Sequence, residues 1–135
     1  MKLLLDINII LDVVFERSGA SASAALIATC GSQNQAWLAW HSVATLAYLI
    51  EREKNATTAR EVITDLLIWA RVATTGHPDA LHALQLPMAD FEDALQVVAA
   101  QACEAKYIIT RNVRDFGKSP IAAVTPEKFL ILGSA

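Results

Sequence analysis

The chain has 135 residues, 54% of them hydrophobic and 19% charged, with a net charge of −3. That is enough apolar material for one domain with a real core and is not the composition of a disordered chain. No apolar stretch reaches the ~20 residues that span a bilayer, and an acidic protein does not hold nucleic acid by overall charge alone.

In chain order, Lys2-Leu3-Leu4-Leu5-Asp6 comes first. It is a short apolar run with polar ends, the pattern of a strand buried on both faces of a parallel sheet. The run meets Asp6 too soon to suit a signal peptide. Residues 8–15 read as a short helix, Gly19 interrupts, and a second helix covers residues 21–30 with Gly31 as its C′ glycine. Residues 35–40 read as the second strand, with Trp37 and Trp40 as bulky strand formers. Ser42 is expected to cap a helix reaching about Lys54, with Leu46, Leu49 and Ile50 on one face.

After a break at residues 55–57, a further helix spans residues 58–70 and a short strand residues 71–75. Residues 78–85 carry a weaker helical pattern. Asp90 opens a strong helix that runs to Glu104, residues 107–110 form a buried strand, and residues 111–118 a polar loop. Residues 121–124 give a last short strand, and Thr125-Pro126-Glu127 starts a final helix with proline at a favourable position. Strands alternating with helices predict a three-layer α/β/α domain with a mainly parallel sheet, over residues 1–135 as one unit. Cys30 and Cys103 fit no metal spacing and read as free thiols of a cytoplasmic protein.

Three acids share one logic. Asp6 ends the first strand, Asp93 lies in the first turn of the late helix, and Asp115 follows the strand at residues 107–110. Strand carboxyl ends of a parallel sheet gather on one edge, so the three side chains can converge. Hard cations such as Mg²⁺ and Mn²⁺ prefer carboxylate oxygens, and there they polarise a phosphate and generate hydroxide. Structural roles compete with this reading: Asp6 as an ordinary helix cap, Asp90 and Asp93 as a capping box, Asp115 as a turn residue before Gly117. Arg111, Arg114 and Lys118 form a small basic patch beside the acids, suited either to a phosphate backbone or merely to a solvated loop. His41, His77 and His82 share no ligand spacing, and Trp37, Trp40 and Trp69 read as core or dimer surface.

Taken together, Leu5-Asp6-Ile7-Asn8-Ile9-Ile10-Leu11-Asp12, Asp90-Phe91-Glu92-Asp93-Ala94-Leu95 and Thr110-Arg111-Asn112-Val113-Arg114-Asp115-Phe116 resemble, in order, the N-terminal, late-helix and closing motifs of PIN domains. The resemblance implies a Mg²⁺- or Mn²⁺-dependent ribonuclease. It further implies a VapC-like toxin, neutralised by a small antitoxin and commonly a homodimer. By motif, Asp6, Asp93 and Asp115 would be catalytic metal ligands; Asn8, Thr110 and Asn112 would orient them; Arg111, Arg114 and Lys118 would contact RNA. One departure stands out: Tyr48 occupies the position of the family's mid-chain Glu. A phenol with a pKa near ~10 stays neutral and does not replace a carboxylate. Glu51 lies three residues on, and Asp90 is a candidate extra acid. A catalytically weak PIN-like module that binds RNA or protein is therefore the alternative. A haloacid-dehalogenase-type phosphatase is a distant third, since Asn8 stands where its second acid belongs.

Overall fold

The computed structural model describes residues 1–134. Among them, five strands form one sheet: β1 Lys2–Leu5, β2 Gln35–Leu38, β3 Ala70–Val72, β4 Tyr107–Ile109 and β5 Ala122–Val124. Their order is β3-β2-β1-β4-β5, and each neighbouring pair is parallel. Between and after them come α1 Ile7–Val14, α2 Ala20–Ala28, α3 Trp40–Glu53, α4 Ala56–Trp69, α5 His77–Gln85, α6 Phe91–Ala102 and α7 Pro126–Ser134. One 3-10 turn, Val113–Phe116, lies inside the expected polar loop. The three-layer α/β/α expectation is met, and the sheet is wholly parallel.

The period of two along β1 separates the layers. Leu3 and Leu5 face a core shared with Leu11, Leu26, Leu46 and Phe129, whereas Leu4 faces Val97, Ala100, Ile108 and Phe116 on the other side. All three leucines are fully buried, which is why the opening run has no polar alternate. Each contributes about 1.5–3 kcal/mol by leaving water. Helix α6 is buried almost all round because Ala94, Ala99 and Ala100 let the sheet and α5 approach closely.

Three local expectations are corrected. Trp40 belongs to no strand: β2 ends at Leu38, opposite the last residue of the three-residue β3, and the ladder has nothing left to pair with. Helix α3 therefore starts at Trp40, capped from Ala39 rather than Ser42, and Ser42 is buried within it. Gly31 has a positive φ of 99° but lies past the helix end, closing a turn through a 2.7 Å bond from its N–H to the Asn34 carbonyl.

A buried ion-pair clamp fastens α1, α2, α7 and the segment after β4. Asp12, 4% exposed, accepts from Ser23 Oγ at 2.7 Å and from Arg111 Nε at 2.9 Å. The rest of the Arg111 guanidinium donates to the Glu127 carboxylate, to the Gly19 carbonyl at 2.8 Å and to Ser23 Oγ at 3.2 Å. Contact with Arg111 in turn holds the Glu127 carboxyl below its ordinary range. A charge this buried is tolerable because its Oδ2 takes two hydrogen bonds and Arg17 Nη1 stands 3.9 Å from its Oδ1. Gly19 has no side chain for a steric reason, since an added Cβ would run into the Arg111 guanidinium.

In urea unfolding, Asp12→Ala should lose about 3 kcal/mol, the low end for breaking a buried ion pair, because Arg111 keeps Glu127. Gly19→Ala should lose about 1–3 kcal/mol by displacing the same guanidinium. Stability equal to that of the unsubstituted chain in both would contradict the clamp.

Candidate metal centre at the sheet switch point

After β1 the chain crosses to β2 on one side, and after β4 it crosses to β5 on the other. The carboxyl ends of β1 and β4 thus flank the point where the winding reverses, the place where open α/β sheets leave a crevice. Asp6 stands there. Its N–H continues the ladder to the Ile109 carbonyl at 2.9 Å, and its side chain is buried.

The cap reading of Asp6 holds, and its second oxygen is held too. Its Oδ1 caps α1, accepting from the Asn8 backbone N–H at 3.3 Å and from Asn8 Nδ2 at 3.4 Å. Its Oδ2 accepts from Thr110 Oγ1 at 2.8 Å, and that hydroxyl oxygen accepts in turn from the Asn112 N–H at 3.0 Å. Thr110 is fully buried and Asp6 is 5% exposed. Burial pushes the Asp6 carboxyl above its ordinary pKa; the Thr110 and Asn8 hydrogen bonds oppose this, and the charge of Glu92 adds to it.

Asp93 is carried by α6, and the charge of Asp6 reaches it. Asp90 is the N-cap of that helix, its Oδ1 accepting from the Asp93 N–H at 3.0 Å. The Asp93 carboxyl is pushed up to about 6, first by burial and then by the charges of Asp90, Glu92, Asp115 and Asp6. Four other carboxylates therefore lie close enough to oppose its ionisation. Asp115 is carried by the 3-10 turn, whose backbone closes through its N–H to the Asn112 carbonyl at 3.0 Å. A cleft of about 440 Å³ runs past Asp90, Asp93, Asp115, Arg114 and Lys118.

The donor set fits a hard divalent cation, since it is made of carboxylate oxygens that repel one another and so favour a positive ion among them. Not every expected residue joins it. Arg111 is engaged with Asp12, Glu127 and Gly19, so its expected contact with RNA gives way to a structural role. Asn8 also accepts from Arg17 Nη1 at 3.0 Å. Tyr48 is 61% exposed with Arg52 over its ring, and Glu51 lines a groove between α3 and α4 instead of the acidic cleft.

Glu92 is the residue that the sequence reading passed over. Both its oxygens accept from Gln96 Nε2, at 3.1 and 3.0 Å, and His41 Nε2 stands 3.7 Å from it. Proximity to His41 and the Gln96 amide hold its carboxyl below the ordinary range, against the effect of burial. The Glu92–Gln96 spacing of one helical turn was visible, but an acid in a first helical turn ordinarily answers only the helix dipole. His41 was hidden by the mistaken start of α3.

A doubly wound α/β protein with an acidic crevice at its switch point is the class that fold and site define. Residues 2–114 match the family model of the PIN domain, and the chain belongs to that family. Its fold is shared with VapBC2 of Rickettsia felis, solved bound to a promoter DNA fragment: TM-score 0.74, 15% identity, 93% of this chain and 98% of that one covered. VapBC-1 of nontypeable Haemophilus influenzae gives a TM-score of 0.72 at 18% identity, covering 94% and 99%. VapC20 of Mycobacterium tuberculosis, a toxin that cleaves the sarcin-ricin loop, gives 0.64 at 11% identity, covering 78% and 86%. No curated protein matches the sequence.

The raised pKa of Asp93 has a definite sign in folding. The folded carboxyl titrates near 6 and the ordinary one at 3.8, so the folded state holds the proton more tightly. With chelator present, stability should therefore fall as pH rises between those two values and level off above. Asp93→Asn should be more stable than the unsubstituted chain above that window, with the two converging below it. Parallel urea-stability curves across the whole range would contradict the crowding of carboxylates around Asp93.

Proposed function

We propose that this chain is a Mg²⁺- or Mn²⁺-dependent endoribonuclease, the toxin of a type II toxin–antitoxin pair, acting in the cytoplasm as one domain. What supports this reading is the cleft lined by Asp93 and Asp115, the charge of Asp6 reaching Asp93, and Thr110 pinning Asp6. In the proposed site Asp6, Asp93 and Asp115 hold the cation directly or through water. When bound, the cation polarises a scissile phosphate and lowers the pKa of water. Thr110 fixes the Asp6 carboxylate, Asn112 fixes Thr110 through its N–H, and Asn8 holds the other Asp6 oxygen. Arg114 and Lys118, on the cleft wall, supply the positive charge that draws a phosphate backbone to an otherwise acidic protein.

The partner proposals follow the neighbours. VapBC2 and VapBC-1 are toxin–antitoxin structures, which supports a small antitoxin as the partner of this chain. Exposed Trp40, Ile68 and Leu84 on α3, α4 and α5 support association through helices, a homodimer included. No helix among the described residues is long and apolar enough to cross a membrane. A second reading, a module that binds without cutting, has the exposed Tyr48 in its favour.

Cleavage of labelled RNA by the purified chain separates the two. Mn²⁺ or Mg²⁺ should support cutting, chelator should abolish it, and Asp6→Asn or Asp93→Asn should lower the rate by a factor of about 100 or more, on the scale of losing one electrostatic element of a site. Arg114→Ala with Lys118→Ala should weaken RNA binding and flatten its salt dependence. RNA binding with no cation-dependent cutting would favour the second reading.

A further inference from the structure

The cleft beside the acids is lined by two unlike stretches of chain. One carries Arg114, Asp115 and Lys118; the other begins with Pro87-Met88-Ala89 and continues to Asp90 and Asp93. A link between helices is ordinarily polar, yet residues 86–89 read Leu-Pro-Met-Ala, with neither a charge nor a hydroxyl. Pro87 and Ala89 are exposed and Met88 is half-buried.

The apolar stretch is also held in place. Pro87 fixes one φ, the Met88 N–H closes a tight turn on the Leu86 carbonyl at 2.8 Å, and Asp90 caps α6 just beyond. Met88 packs against the core clusters that contain Val97 and Val98, and still lines the cleft. The cleft is therefore amphipathic in the way a nucleotide is. Its volume of about 440 Å³ lies in the range of small-molecule sites, about 300–1,000 Å³, and is too small for a duplex. A base has an apolar face that suits a thioether and a proline ring, and its phosphate is an anion for Arg114 and Lys118. Those two cations favour a phosphate ester over an uncharged peptide.

We propose that Met88, with Pro87 and Ala89, seats one unpaired base of the RNA, whose neighbouring phosphate lies at Arg114 and Lys118. No side chain of the seat is built to read a base edge. It selects an unpaired base over a paired one, rather than one base over another. The inference rests on the ribonuclease reading above and adds to it where the base lies.

Fluorescence anisotropy of the full chain carrying Asp6→Asn, which spares the strand from cutting, tests it with a labelled oligoadenylate. The probe is compared with strands in which an abasic riboside takes each position in turn. One such position should weaken binding by about tenfold. Met88→Ala should weaken binding of the intact strand by the same factor and cost nothing further with that abasic strand. Met88→Leu, which keeps the apolar volume, should restore the affinity. Met88→Gln takes the place of Met88→Ala if circular dichroism shows the alanine variant unfolded. Equal affinity for the intact and every abasic strand would overturn the inference and leave the seat to a protein partner. So would a Met88→Ala loss that every abasic strand shows in full. Cation-dependent cutting by the unsubstituted chain stands apart from either result. No binding of any strand would overturn the inference, and with it the ribonuclease reading if the unsubstituted chain does not cut RNA either.

Discussion

The hydrogen bond from Thr110 Oγ1 to Asp6 Oδ2, 2.8 Å long and fully buried, is the constraint on which the rest of the site depends. It joins residues 104 apart in sequence, one at the end of each strand that flanks the sheet's reversal point. A carboxylate buried there would be unfavourable alone. Asn8, two residues on, and Thr110 give its oxygens partners, and the parallel register of β1 and β4 brings Thr110 within reach. The site is thus a consequence of strand order: any other neighbour for β1 would leave Asp6 as a helix cap and nothing more.

Behind the crevice, the Asp12–Arg111–Glu127 clamp acts on the same segment from the other side. Arg111 directly follows Thr110, so the ion pairs that hold it to α1 and α7 also fix the backbone that presents Thr110 and Asn112. Arginine fits this place better than lysine would, because its planar fork serves a carboxylate, a hydroxyl and a carbonyl together. A residue that by motif looked like an RNA contact is therefore part of the frame. The charges left for a polyanion are Arg114 and Lys118, on the wall of the cleft.

Much of this was legible in the sequence, for physical reasons that can be named. Leu3, Leu4 and Leu5 announced a strand buried on both faces, and the order of elements made the sheet parallel, from which Asp6, Asp93 and Asp115 are expected on one edge. The cap at Asp90 was also readable from its spacing to Asp93. What escaped was decided by tertiary pairing. The strand propensity of Trp40 was overridden because β3 is only three residues long, and α3 therefore takes in His41. Glu92 looked like an ordinary first-turn acid until His41 and Gln96 were seen around it. Arg111 could not be assigned to Asp12 from sequence, since 99 residues separate them.

The central claim is that the switch-point carboxylates form a cation site. Anomalous scattering from a crystal of the unsubstituted chain soaked in Mn²⁺ tests it most directly. The account predicts a peak in the crevice among Asp6, Asp93 and Asp115. A featureless crevice, with any Mn²⁺ bound elsewhere on the surface, would contradict it.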